Sequence, residues 1–169
     1  MVRARTVRLW LLAVAVAVAA FALIIGLVMR PGEVEDRGCL TVDSSLSELL
    51  LSRPSVGPLE TSVSVAEEVA PQGAARAYAH YYVIAMQFSS MDGLMHEGVW
   101  QLGTNASGPR GGTVSVAISA AGASEFIISI NGEAQSFTLW PRDGALVGPL
   151  SESVIRARTC LDAFTSTTL

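Results

Sequence analysis

The strongest pattern along the chain is the run of 21 residues from 9 to 29, which holds no charged side chain. As a helix it would reach about 32 Å at roughly 1.5 Å per residue, enough to cross a hydrocarbon core of about 30 Å. No polar stripe interrupts it, as one does in most helices of soluble domains. The pattern therefore predicts a transmembrane helix over residues 9–29 in contact with the lipid bilayer. Arg3, Arg5 and Arg8 precede it, whereas Arg30 is followed by Glu33, Glu35 and Asp36. The bias of arginine places residues 1–8 in the cytoplasm as a basic tail and the rest of the chain outside the cell membrane. Trp10 falls at the inner interface, a position that suits an indole.

A cleaved signal peptide is the competing reading. Ala20-Phe21-Ala22 has the small-x-small form of a cleavage site, so removal of residues 1–22 stays open. The apolar run exceeds the roughly 7–15 residues of a signal peptide, and cleavage there would leave an apolar N-terminus, which favours the uncleaved signal-anchor. Ala15, Ala19, Ala22 and Gly26 share one face, the kind of surface that lets membrane helices approach closely. Alanine is frequent enough in this run for composition alone to produce such a face.

Residues 30–38, with Pro31-Gly32 and three acids, read as a linker. Beyond it the pattern changes to short alternating runs, predicting a small extracytoplasmic α+β domain over residues 39–165. A strand is expected over 39–42. A helix follows, capped by Ser44 or Ser45, running through Arg53 and burying Leu46, Leu49 and Leu50. Residues 59–65 alternate as a strand. Residues 78–89 and 94–102 predict a hairpin tightened at Asp92-Gly93. On it Tyr78, His80, Tyr82, Ile84, Met86 and Phe88 take one face, and Leu94, His96, Trp100 and Leu102 share a face of the second strand.

The glycine-rich stretch 103–112 is a loop, and strands are expected over 113–119 and 125–130. After Asn131-Gly132 two readings remain. Either the pair turns the chain into a further strand, or Asn131 caps a short helix through Phe137. The last element is a helix over 150–164, with Leu150, Val154, Ala157, Leu161 and Phe164 on one stripe. It is expected to pack on an antiparallel sheet. Ser151 is its predicted cap.

Charge sharpens the division. Residues 1–30 carry four arginines and no acid; the remainder carries seven arginines against fifteen acids, and the chain has no lysine. An acidic outer domain argues against nucleic acid as a partner, which would require a basic face. An all-arginine basic set fits a GC-rich genome and hence a bacterial cell envelope.

Cys39 and Cys160 are the only cysteines. Both fall in the outer domain, in a compartment that permits disulfides, and their even number predicts a bridge between them. Neither has a cysteine or histidine at metal-ligand spacing. The histidines are His80 and His96, with Asp92 and Glu97 close in sequence. An extracytoplasmic hydrolase would use His80 or His96 with Asp92, and with Ser89 or Ser90 as nucleophile. No G-x-S-x-G or H-E-x-x-H motif accompanies them. No residue is therefore assigned a catalytic, cofactor-binding or metal-binding role. The expectation is a single-pass envelope protein whose outer domain holds a protein partner or small ligand, rather than an enzyme.

Overall fold

A computed structural model describes residues 38–70, 77–115 and 125–167. The basic tail, the predicted span over 9–29, the small-residue face, the cleavage site and most of the linker lie outside the described residues. So does most of the strand expected over 113–119. Among the described residues no helix is long and apolar enough to cross a membrane.

The domain is α+β. Its six strands are β1 (Leu40–Val42), β2 (Glu60–Glu68), β3 (His80–Ser89), β4 (Met95–Thr104), β5 (Thr113–Val114) and β6 (Phe126–Ser129). Its helices are α1 (Ser44–Leu51), α2 (Gly132–Phe137) and α3 (Glu152–Thr167). The sheet order is β5-β1-β2-β3-β4-β6. All neighbours are antiparallel except β1 and β5, which run parallel, so the expected purely antiparallel sheet has one parallel edge pair.

The β3–β4 hairpin forms the centre, paired without interruption from His80↔Thr104 to Ser89↔Met95. Both faces of β3 are apolar, so both must be covered. Tyr82, Ile84, Met86 and Phe88, with Trp100 and Leu102, pack beneath α1 and α2, meeting Leu46, Leu50 and Ala134. Val83, Ala85 and Val99, with Val65 of β2, pack beneath α3, meeting Val154, Ala157 and Leu161. The sheet thus lies between helices on both faces: the last helix packs on one face, as expected, and α1 and α2 cover the other.

The hairpin loop is longer than the tight turn expected from Asp92-Gly93. Ser90 and Leu94 close a three-residue loop. The Gly93 N–H donates to the Ser90 carbonyl, the Ser90 N–H donates to the Leu94 carbonyl, and Gly93 takes φ +77°. Glycine is therefore needed for the left-handed residue that follows the turn.

α1 is capped by Asp43 rather than by Ser44 or Ser45, because its carboxylate accepts the Ser45 N–H at 2.9 Å. After Asn131 the chain forms the short helix, not a strand. Asn131 Oδ1 accepts from Ala134 N at 3.0 Å and from Val99 N at 2.9 Å, and Nδ2 donates to the Glu97 carbonyl at 2.8 Å. One side chain thereby caps α2 and ties it to β4.

On the α3 stripe Val154, Ala157 and Leu161 are buried as expected, but Leu150 and Phe164 are exposed. Leu150 precedes the helix in a turn closed by Ser151 N–H to the Gly148 carbonyl, so it does not share the helical phase. Phe164 lies beyond Cys160, at the edge of the sheet rather than over it. Cys39 and Cys160 are bridged, with Cα atoms 5.6 Å apart. The bond ties the residue before β1 to α3.

Candidate functional site

The two histidines share a sheet face but stand at opposite ends of the central hairpin. His80 pairs with Thr104 and His96 with Phe88, so eight strand positions, about 27 Å at roughly 3.4 Å each, separate them. His80 Nδ1 meets Glu68 Oε1 at 3.2 Å, and its ring stacks on Tyr82.

His96 is the centre of a tighter cluster. Its Nε2 lies 2.8 Å from Ser90 Oγ, and its Nδ1 lies 3.2 Å from Glu133 Oε2. The ring packs against Phe137, 4.1 Å between centroids. Ser90 Oγ also reaches Asp92 Oδ1 at 2.5 Å. That hydroxyl, followed by the Leu94 N–H, holds the Asp92 carboxyl below its ordinary value.

Of the residues singled out in the sequence, Ser90, Asp92 and His96 come together. Ser89 is paired with Met95 within the sheet. Glu97 points to the opposite face and pairs with Arg158 of α3. Glu133 was not foreseen; its only signal was its place in the first turn of the helix that Asn131 caps.

The order Ser90–His96–Glu133 gives a hydroxyl a base and gives the base an orienting carboxylate. Acyl transfer also needs N–H donors aimed at an oxyanion. Here the loop donors nearest Ser90 are already engaged: Ser90 N with Leu94 O, Gly93 N with Ser90 O, and Leu94 N with Asp92 Oδ1. Asp92 also competes with His96 for the single Ser90 proton. The cluster fastens the hairpin loop to the start of α2. Among the described residues no group of three or more His, Cys, Asp or Glu side chains could hold a metal ion.

A second site was not visible in the sequence. A groove of about 690 Å³ is lined by all six residues from Leu59 to Ser64. Side chains of a strand alternate between faces. Six consecutive residues can therefore line one groove only if it faces the edge of the strand. One wall comes from α1, through Ser44, Ser47, Glu48 and Leu51, and Phe164 of α3 stands on the other side.

Among the described residues no strand pairs with this edge, and the cause is local. β1 pairs with β2 only through Leu40↔Ala66 and Thr41↔Val65. At the next turn of chain Asp43 caps α1, and the backbone leaves the sheet. β2 continues to Glu60 against β3, with a bulge between Thr61 and Val63. Its other edge, from Glu60 to Val63, extends past the end of β1. Ser47 Oγ and Ser64 Oγ, 2.7 Å apart, close the inner end. Among the described residues, Glu48 and Glu60 are the only charged ones in the lining.

Comparison of the chain with protein-family models, with curated proteins and with solved structures finds no match.

Proposed function

We propose that the chain is a single-pass membrane protein whose α+β domain stands outside the cell membrane and holds a partner there, in a binding or assembly role. The anchor is residues 9–29, and the arginines before it set the orientation. The Cys39–Cys160 bond supports the location, because such bonds persist in oxidising compartments. It also supports a fixed attachment, since it clamps the start of the domain, where the linker enters, to the last helix.

The observation that carries a binding role is the groove along β2. Open strand edges attract other chains, and proteins commonly cover them or blunt them with lysine or proline. Residues 60–63 read Glu-Thr-Ser-Val and contain neither, although Glu60 and the bulge between Thr61 and Val63 limit the open edge to a short stretch. A photo-crosslinking residue placed at Ser62 of the intact membrane protein in living cells tests the reading. A discrete adduct, absent when the probe replaces exposed Ile155, is the expected result. The same faint background from both positions contradicts a binding role at the groove.

A further inference from the structure

Resting on that binding role, we propose that the groove takes an extended, basic peptide segment of a partner, which adds to β2 as a strand in line with β1. The geometry sets the mode. The incoming segment would occupy the lane β1 vacates at Asp43, beside Glu60–Val63. Four residues of edge span about 14 Å at roughly 3.4 Å per residue, room for four or five residues of an extended chain. In such strand addition the main chain supplies affinity and the side-chain pockets supply choice. Side chains on alternate sides of the added strand would meet α1 on one face and Phe164 on the other, because these residues line the two sides of the groove.

Charge sets the chemistry of the occupant. Among the described residues, Glu48 and Glu60 line the groove and no basic side chain does. Lysine or arginine in the peptide would meet these carboxylates, while an acidic segment would be repelled. The same argument disfavours a second copy of this chain as occupant. A second copy of this edge would bring a further glutamate into a groove that already holds Glu48 and Glu60, and like charges there repel. The bulge between Thr61 and Val63 interrupts the β2–β3 ladder at Ser62. Bulges recur next to binding sites, where they re-aim a side chain, and this one keeps the docking edge short.

The test uses the full chain in lipid nanodiscs, with its disulfide intact, and fluorescent six-residue peptides read by anisotropy. The first peptide alternates valine and lysine. The second has the same sequence with alternate backbone nitrogens methylated, and the third replaces each lysine by glutamate. A neutral oligosaccharide is the fourth probe, and self-association is followed by sedimentation. Expected is binding of the first peptide, with at least about tenfold loss on methylation and on lysine-to-glutamate exchange. The Glu48→Gln, Glu60→Gln double variant should lose the preference for the lysine peptide over the glutamate peptide while keeping the dependence on backbone N–H groups. Its circular dichroism and disulfide are checked to confirm that it folds.

Equal binding of the methylated peptide overturns strand addition, and indifference to peptide charge overturns the basic partner. Binding of the oligosaccharide alone, or self-association through the groove, replaces the occupant. No binding of any peptide at about 1 mM, a level that detects even weak contacts, also overturns the proposal. A discrete crosslink from Ser62 in cells would then leave the binding role standing and remove only this mode.

Discussion

Asp43 Oδ1 accepts the backbone N–H of Ser45 at 2.9 Å, and at that bond the chain leaves the sheet. A cap carboxylate thus determines where β1 stops and where the edge of β2 begins to be bare. The Ser45 hydroxyl, and then the Ser45 N–H, hold the Asp43 carboxyl below its ordinary value. Asp92 is held low in the same sense, by the Ser90 hydroxyl first. A carboxyl with a depressed folded-state pKa contributes stability that is present above the unfolded value of about 3.9. That contribution is lost as the pH falls through the folded value. Denaturant melts of the Asp43→Asn, Asp92→Asn variant should therefore show a shallower decline below about pH 4 than the parent. An identical decline would show that neither carboxylate is preferentially stabilised by folding.

Asn131 should be the costliest polar residue to remove. Asn131→Ala takes away the α2 cap and strands the Val99 N–H inside the domain. A lost cap costs about 1 kcal/mol and an unsatisfied buried donor about 1–3, so a loss of about 2–4 kcal/mol in denaturant unfolding is expected. Asn131→Asp keeps the acceptor for Ala134 N and Val99 N but sets an oxygen against the Glu97 carbonyl, so it too should be less stable than the parent.

Much of this was legible from local pattern. The face parity of Tyr82, Ile84, Met86 and Phe88, the buried stripe Val154–Ala157–Leu161 and the Cys39–Cys160 pair follow from periodicity and residue type. Asp92-Gly93 marked the right place for the hairpin but not its three-residue loop, because the same dipeptide serves both turn forms. The parallel β1–β5 pair joins Thr41 to Thr113, a pairing set by the whole fold and by no local signal. The groove was illegible for the same reason. It arises from where β1 ends relative to β2, and Glu48, Glu60 and Phe164 are brought together only by the tertiary structure.

The α3 stripe can be tested residue by residue. Leu161 is 2% exposed and Ile155 54%. Leu161→Ala should lower unfolding free energy by about 2–5 kcal/mol, whereas Ile155→Ala should change it by no more than about 0.5. Equal effects would mean that α3 does not pack on the sheet through this face.

Tyr82 should ionise late. Burial, and then the charge of Glu68, push its hydroxyl up to about 12. Between the unfolded value of about 10 and that value, the unfolded chain releases this proton more readily than the folded one. Stability is therefore fully present below pH 10 or so and declines as the pH rises through the window. Absorbance titration at alkaline pH should show the late step, and Tyr82→Phe should remove both the step and its share of the decline. A Tyr82→Phe variant that retains the late step would reassign it to Tyr78 or Tyr81.

The redox state of Cys39 and Cys160 in living cells is the most direct test, because it joins the fold of the domain to its proposed place outside the membrane. In the chain-entropy picture a bridge across a sequence separation of 121 stabilises by up to about 5 kcal/mol. It forms only where the surroundings are oxidising. Cells producing the full chain would be quenched with an alkylating reagent, and the membrane fraction digested without reductant for mass spectrometry. A disulfide-linked peptide pair containing Cys39 and Cys160, with neither cysteine alkylated, is the expected result. Recovery of both residues in alkylated form would contradict the extracytoplasmic domain and the clamp it is built around.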